Sequence, residues 1–402
     1  MVDQALSDVK VLDLTWYVTG PYCTKLLADY GAEVVKVEWP GKGDPARTMG
    51  PFPGDSPHPE KSGLFLHLNT NKQGITLNLK SRFGQRIIKE MVRETDILVE
   101  SFRPGVMAGL GLDYETLSKI NQKLVMTSIS NFGQTGPYRD FKATDMVEYA
   151  LGGPMYATGL PEREPLKVFN NTVQYQAGVC ASVATMIALF GSDMRGTGEM
   201  VDISIMETQA AGIDRTPTFR IAYQYTGDVN ERLPTTQGFA SGVFPCKDGY
   251  VNINGGSIFF PKLAAMLDMP ELLEHPVYSN LVEQAKPEVA EEFLSILLPW
   301  LLERTKAEVW EAAQAQKMLS SPIYTTEDLL GDPHYNERGF WVEVDHPQAG
   351  TFKYPGAPFK MTETPWQIRR PAPLLGQHNE DVLGGLGYRK EDLVVLRQQG
   401  VI

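Results

Sequence analysis

Three short loops gather the residues best suited to hold an anionic ligand: "TWYVTGP" (15–21), "WPGKGDPAR" (39–47) and "SFRPG" (101–105). Each follows an apolar run that reads as a strand. The first leads straight into a helix start, where free N–H groups and the helix dipole favour negative charge. Arg47, Lys80, Arg103 and Lys142 fall in or near strand-end loops. Together they offer the donors a polyphosphate needs; singly, each reads as an ordinary solvated charge. Any one loop is also explained as a plain β–α turn. The dinucleotide fingerprint G-x-G-x-x-G is missing and a lone "GKG" is a weak signal, which disfavours NAD. Asp145, in "KATDMVEYALGG", precedes an apolar helical run and reads as a helix cap before it reads as a catalytic acid. His378, in "PAPLLGQHNEDVL", reads as part of a turn and helix start rather than as a base. The six histidines form no HExxH pair and no Cys/His cluster, so no metal site is expected.

These residues require a scaffold of alternating strands and helices. "VKVLDLT" (9–15), "EVVKVE" (33–38), "ITLNL" (75–79), "DILVES" (96–101), "LVMTSIS" (124–130) and the strand in "GTGEMVDIS" are separated by helical patterns. In "SRFGQRIIKEMVRET", Phe83, Ile87, Ile88, Met91 and Val92 share one helical face. Residues 177–190 form a small-and-apolar run that predicts a buried helix. Repeated β-α-β units predict a parallel sheet, with ligands beyond the carboxyl ends of its strands. The character changes after about Thr208. "RTPTFRIAYQYTG" (215–227) reads as a connector, "SGVFPCKDGYVNING" as a hairpin, residues 260–267 and 288–306 as helices, and "GFWVEVDHPQAGTFKYPG" as two strands around a turn. The reading is an α/β protein with one large domain and a smaller one.

With 402 residues, 42% hydrophobic and 21% charged, the chain can bury a sizeable core. A net charge of −12 argues against a nucleic-acid binder but leaves room for a local cationic pocket. Three widely spaced cysteines, Cys23, Cys180 and Cys246, fit a reducing, cytoplasmic setting without a disulfide framework. The N-terminal residues carry no signal-peptide pattern, and no apolar run approaches ~20 residues, so no membrane span is expected.

Six ordered blocks resemble the family III coenzyme A transferases, nearly end to end. They are "VLDLTWYVTGPYCTKLLADYGAEVVKVEWPGKGDPAR", "NTNKQGITLNLKS", "DILVESFRPGVMAGLGLDYETL", "GTGEMVDISIMET", "DPHYNERGFWVEV" and "RRPAPLLGQHNEDVL". The resemblance implies a Rossmann-like large domain built from both termini (residues 1–226 and 322–402) and a small middle domain (residues 227–321). It also implies an interlocked dimer with sites formed between chains. The implied chemistry is covalent: an aspartate attacks an acyl-CoA thioester, an anhydride and then an aspartyl-CoA thioester form, and CoA passes to an acceptor acid.

The resemblance places that aspartate four residues before Gly178, where this chain has Gln174. An amide offers no anionic oxygen for the attack. Residues 168–178, "VFNNTVQYQAG", contain no Asp or Glu, which leaves Asp145 as the substitute nucleophile considered. For coenzyme A or acyl-CoA, the resemblance implies contacts at Tyr17, Val18, Thr19, Leu77, Lys80, Ser101, Phe102 and Lys142. Trp39 and Gly109 stand where the family carries arginines. The leading expectation is a nucleophile-less subunit acting with a paralogous chain that keeps the aspartate, as in a two-subunit succinyl-CoA:benzylsuccinate transferase. Its substrates would be an acyl-CoA and a small carboxylic acid, with no nucleic acid or membrane involved. A self-sufficient transferase using Asp145 and a CoA-binding non-enzyme are the alternatives. A racemase on this fold is disfavoured because Thr144 and Gln174 stand at its acid–base positions.

Overall fold

The computed structural model describes residues 4–212, 216–229, 232 and 238–402. The chain divides into two compact units. One comprises Met1–Tyr156, Lys167–Val229 and Glu337–Ile402; the other comprises Ala157–Leu166 and Asn230–Asn336.

The first unit is built on six parallel strands: β1 (Lys10–Leu14), β2 (Glu33–Glu38), β3 (Lys72–Thr76), β4 (Ile97–Glu100), β5 (Val125–Ser130) and β6 (Met200–Ser204). Their order is β3-β2-β1-β4-β5-β6. A parallel sheet needs cover on both faces, and the strand residues divide accordingly. Leu12 and Leu14 of β1 join Val35, Ile75, Ile87 and Ile88 on one side. Val11, Val34, Val99 and Val125 join Cys23, Leu27, Ala177 and Ala181 on the other. The Arg82–Met91 helix thus covers one face. The Thr19–Asp29 and Thr172–Arg195 helices cover the other and pack on each other. The sheet order reverses between β1 and β4, so the loops after these two strands diverge and leave a crevice between them.

The C-terminal segment is sewn to the edge strand β3. His378 N–H donates to the Gly74 carbonyl at 2.9 Å, and the Gly74 N–H donates to His378 Nδ1 at 3.0 Å. Asn379 Oδ1 accepts from the Thr76 N–H at 2.8 Å. His378 therefore serves the edge of the sheet. An antiparallel hairpin, Trp341–His346 with Gly350–Pro355, lies in the same unit.

The second unit holds a three-stranded antiparallel sheet: Ser241–Cys246, Gly249–Asn254 and Leu319–Pro322. Phe239, Phe244, Val251, Ile253, Leu263, Phe293, Leu297 and Val309 form its core.

Several elements differ from the sequence reading. The strand expected over residues 75–79 lies at Lys72–Thr76, because Lys72 is buried and satisfied by Asp13, Asn69 and the Pro21 carbonyl. Phe83, expected on a buried face, is exposed. The segment read as a connector is helical over Thr216–Thr226; Arg215 lies outside the described residues. The helix expected to run to residue 306 ends at Leu302, and Thr305 opens a new one at Lys306 through a capping box with Glu308. The apolar helix extends over Thr172–Arg195, 24 residues, long and apolar enough by composition to cross a membrane, contrary to the expectation of no such run. Its Ala177, Gly178, Ala181, Ser182, Thr185 and Ala188 are buried.

Candidate functional site

The loop after β1 is held by buried charges. Lys36 Nζ donates to the Thr15 carbonyl at 2.8 Å and pairs with Asp44 at 2.9 Å. Asp44 Oδ1 accepts the Tyr17 N–H at 3.0 Å, and Ser101 Oγ accepts the Trp16 N–H at 3.0 Å. These bonds hold Tyr17 in the left-handed region, at φ 67°. Burial alone would raise the Asp13 carboxyl, but Lys72, Lys36 and the hydroxyls of Thr15 and Thr24 outweigh it and hold it at about 2. Nothing in the local sequence marks Lys36, Asp44 and Lys72 as interior charges; only the sheet brings them together.

A cavity of about 670 Å³ lies beyond the carboxyl ends of β1 to β4. Trp16, Trp39, Lys42, Leu77, Lys80 and Phe102 contribute to its walls. Trp16 meets Phe102 edge-on at 5.6 Å, and Lys80 Nζ lies 5.4 Å from the Trp39 ring centre. The indole N–H of Trp16 is buried without a hydrogen-bond partner. Beneath Phe102, burial and then Asp202 raise the Glu100 carboxyl to about 7, even though it accepts the Phe102 N–H at 2.8 Å.

Of the residues expected to contact CoA, Leu77, Lys80 and Phe102 line this cavity. Ser101 supports the Trp16 backbone. Tyr17 is exposed, while Val18 and Thr19 are buried at the start of the following helix. Lys142 and Arg103 are exposed and do not line the cavity. Arg47, read as a candidate phosphate ligand, is fully buried. It bonds Glu38 at 2.7 and 2.9 Å, Glu60 at 2.5 Å and the Pro373 carbonyl at 2.9 Å, so its charge is already spoken for.

The same loop leads from the cavity to Gln174. Trp16 and Thr19 are three residues apart, a reach of at most ~11 Å. The Thr19 hydroxyl donates to Gln174 Oε1. Gln174 Nε2 donates to Glu148 Oε2 at 2.5 Å. Asn131, with its amide turned so that both ends are satisfied, donates to Glu148 Oε1 at 3.0 Å and accepts the Ala143 N–H at 3.1 Å. Gly178 makes this meeting possible, because a Cβ there would lie 2.8 Å from the Thr19 carbonyl oxygen and wedge the two helices apart.

Glu148 is buried within the Asp145–Leu151 helix, and its carboxyl is raised to about 7 by burial and then by Asp145, against the Gln174 bond. Asp145 is the first helical residue, Thr144 holds the cap position, and Asp145 pairs with Lys167 at 2.7 Å. Sequence reasoning passed over Glu148; the available signal was a single Glu in an apolar stretch. Tyr175 packs edge-on against Tyr22 at 4.7 Å, and burial pushes its phenol up to about 12.

The fold is a doubly wound α/β unit with an aromatic crevice that carries Lys42 and Lys80 beyond its strand ends, where open sheets of this kind bind ligands. Comparison with known proteins narrows this. Residues 6–379 match CoA-transferase family III, and the chain belongs to that family, whose substrates are CoA thioesters. It is 34% identical to succinyl-CoA–D-citramalate CoA-transferase of Chloroflexus aurantiacus, over 99% of this chain and 98% of that one. It is 30% identical to subunit BbsE of succinyl-CoA:(R)-benzylsuccinate CoA-transferase of Thauera aromatica, with 99% and 98% covered. The fold matches the crystal structure of a CAIB/BAIF family protein from Brucella suis with a TM-score of 0.85 and 25% identity, covering 96% of this chain and 100% of that one.

Proposed function

We propose that this chain is the nucleophile-less subunit of a two-chain CoA-transferase that moves CoA from an acyl-CoA such as succinyl-CoA to a carboxylic acid. The observation that carries the reading is Gln174. Its amide is engaged at both ends, by Thr19 and Glu148, and provides no carboxylate at the half-buried position facing the loop. The subunit names of two relatives, BbsE and the beta subunit of succinyl-CoA–L-malate CoA-transferase, support a paralogous partner. So does the outer face of the Thr172–Arg195 helix. Val179, Val183, Ile187, Phe190 and Met194 form an exposed apolar stripe there, at the spacing of one helical face. Exposed stripes of this kind mark interaction surfaces. The similarity to subunit BbsE favours an aromatic acceptor acid such as benzylsuccinate.

In this reading CoA occupies the cavity, with its adenine against Trp39 and its phosphates near Lys80 and Lys42. Tyr17, Val18, Thr19, Leu77, Ser101, Phe102 and Lys142 complete the proposed contact set. Asp145 is already paired with Lys167, which weighs against its serving as a substitute nucleophile.

The test is to assay the purified chain with succinyl-CoA and a panel of acids, alone and with a family III partner that carries an aspartate at the position of Gln174. Transfer by the pair and none by the single chain is the expected result. Robust turnover by the single chain refutes the reading.

A further inference from the structure

Glu148 has no part in the transfer proposed for this chain, yet it is the acid nearest Gln174. Its carboxylate is buried, accepts the Gln174 amide at 2.5 Å and accepts Asn131 at 3.0 Å. Gln174 lies between it and the loop after β1, and is itself only partly buried. The charged groups near the pair are few. Asp145 is on the same helix as Glu148 and is paired with Lys167. The Ile205–Gly212 helix, packed against the Glu148 helix, brings the uncharged, buried Gln209 and the exposed, acidic Glu207. The Thr19–Asp29 helix contributes a hydroxyl.

Replacing the Gln174 amide by an isosteric carboxyl turns the 2.5 Å contact into an oxygen–oxygen contact. That length, ~2.5–2.7 Å, is normal for an acid donating to a carboxylate. Two ionised carboxylates cannot share it. Resting on the reading of position 174 as the nucleophile position, we propose that Glu148 and residue 174 form one acid–amide pair holding a single negative charge. Glu148 is its positioning residue. In this chain the charge sits on the buried member; exchanging the two side chains moves it to the accessible one.

The chemistry then available balances without an added reagent. A carboxylate oxygen at position 174 attacks the thioester carbonyl carbon, the C–S bond breaks, and CoA leaves as thiolate. The thiolate attacks the side-chain carbonyl of the anhydride, releasing the donor acid as its carboxylate and leaving a side-chain thioester.

The experiment compares the wild type, Gln174→Glu, Glu148→Gln and the exchanged double variant Glu148→Gln/Gln174→Glu, within the assembled complex. Melting midpoints are recorded at pH 6 and pH 8. Capture of succinyl-CoA at residue 174 is followed by intact mass and peptide mapping. Gln174→Glu is expected to melt near the wild type at pH 6, where the pair shares a proton, and about 2 °C lower at pH 8. Adding Glu148→Gln is expected to remove that pH dependence. A midpoint loss in Gln174→Glu that is equal at both pH values, or unrelieved by Glu148→Gln, overturns the pairing, whether or not capture occurs. Relief without capture by the exchanged variant upholds the pairing and instead refutes position 174 as the nucleophile position. Should Gln174→Glu fail to fold, the exchanged variant still decides. Folding like the wild type at both pH values supports the pair, and failure to fold refutes it.

Discussion

Glu148→Gln isolates the contribution of one buried acid to stability. The native structure raises this carboxyl from its ordinary 4.5 to about 7, burial being the largest cause. Between these values the unfolded chain releases the proton while the folded chain retains it. Native stability therefore falls as pH rises through this window, by about 1.4 kcal/mol for each pH unit, and the loss is complete above about pH 7. The accumulated penalty is about 3 kcal/mol at pH 8 and vanishes below pH 4.5. A glutamine removes it. The new amide is accommodated because Gln174 can turn over, donating to the Thr19 hydroxyl and accepting from residue 148. Urea unfolding of the wild type and Glu148→Gln, from pH 5 to pH 8.5, measures the difference directly. The variant should gain on the wild type as pH rises to about 7 and then hold an advantage of about 3 kcal/mol. A flat difference, or one that widens toward acid, refutes the assignment of Glu148 as a destabilising buried charge.

Other perturbations probe the surroundings. Arg47→Met leaves Glu38 and Glu60 without their shared guanidinium and should destabilise by about 3–5 kcal/mol in urea unfolding; an unchanged midpoint would refute the buried pairing. Gly178→Ala forces a Cβ to 2.8 Å from the Thr19 carbonyl and should cost about 1–3 kcal/mol in thermal unfolding, with a crystal structure showing the Thr19–Gln174 contact opened. Lys80→Ala should leave the melting midpoint within about 0.5 kcal/mol of stability. In calorimetric titration it should weaken CoA binding about tenfold, the loss of one charge-assisted contact of about 1.5 kcal/mol.

Local pattern was enough for most of the scaffold. Apolar runs bounded by glycine and proline marked β1, β2, β4 and β5 to within a residue or two, and the "KDG" turn marked the Ser241–Asn254 hairpin. The loops "TWYVTGP", "WPGKGDPAR" and "SFRPG" announced themselves because strand-end loops are short, turn-rich and placed by the sheet. The amide at position 174 was legible too, as one residue in a spacing. Strand order was not, since pairing between distant strands depends on contacts that no window of sequence contains. The expected strand over residues 75–79 slipped to Lys72–Thr76 for a related reason. Lys72 looks like surface until Asp13, far away in the chain, neutralises it. Arg47 was misread likewise, because Glu38 and Glu60 consume its charge only after the chain folds back. Glu148 is the clearest case. In the sequence it is a polar interruption in a helix. In the structure three segments enclose it, and burial and then the neighbouring Asp145, against the Gln174 bond, turn it into a carboxyl raised to about 7. Residue type and spacing determined which groups are available; the low-dielectric interior and partners supplied by tertiary contact decided their charge.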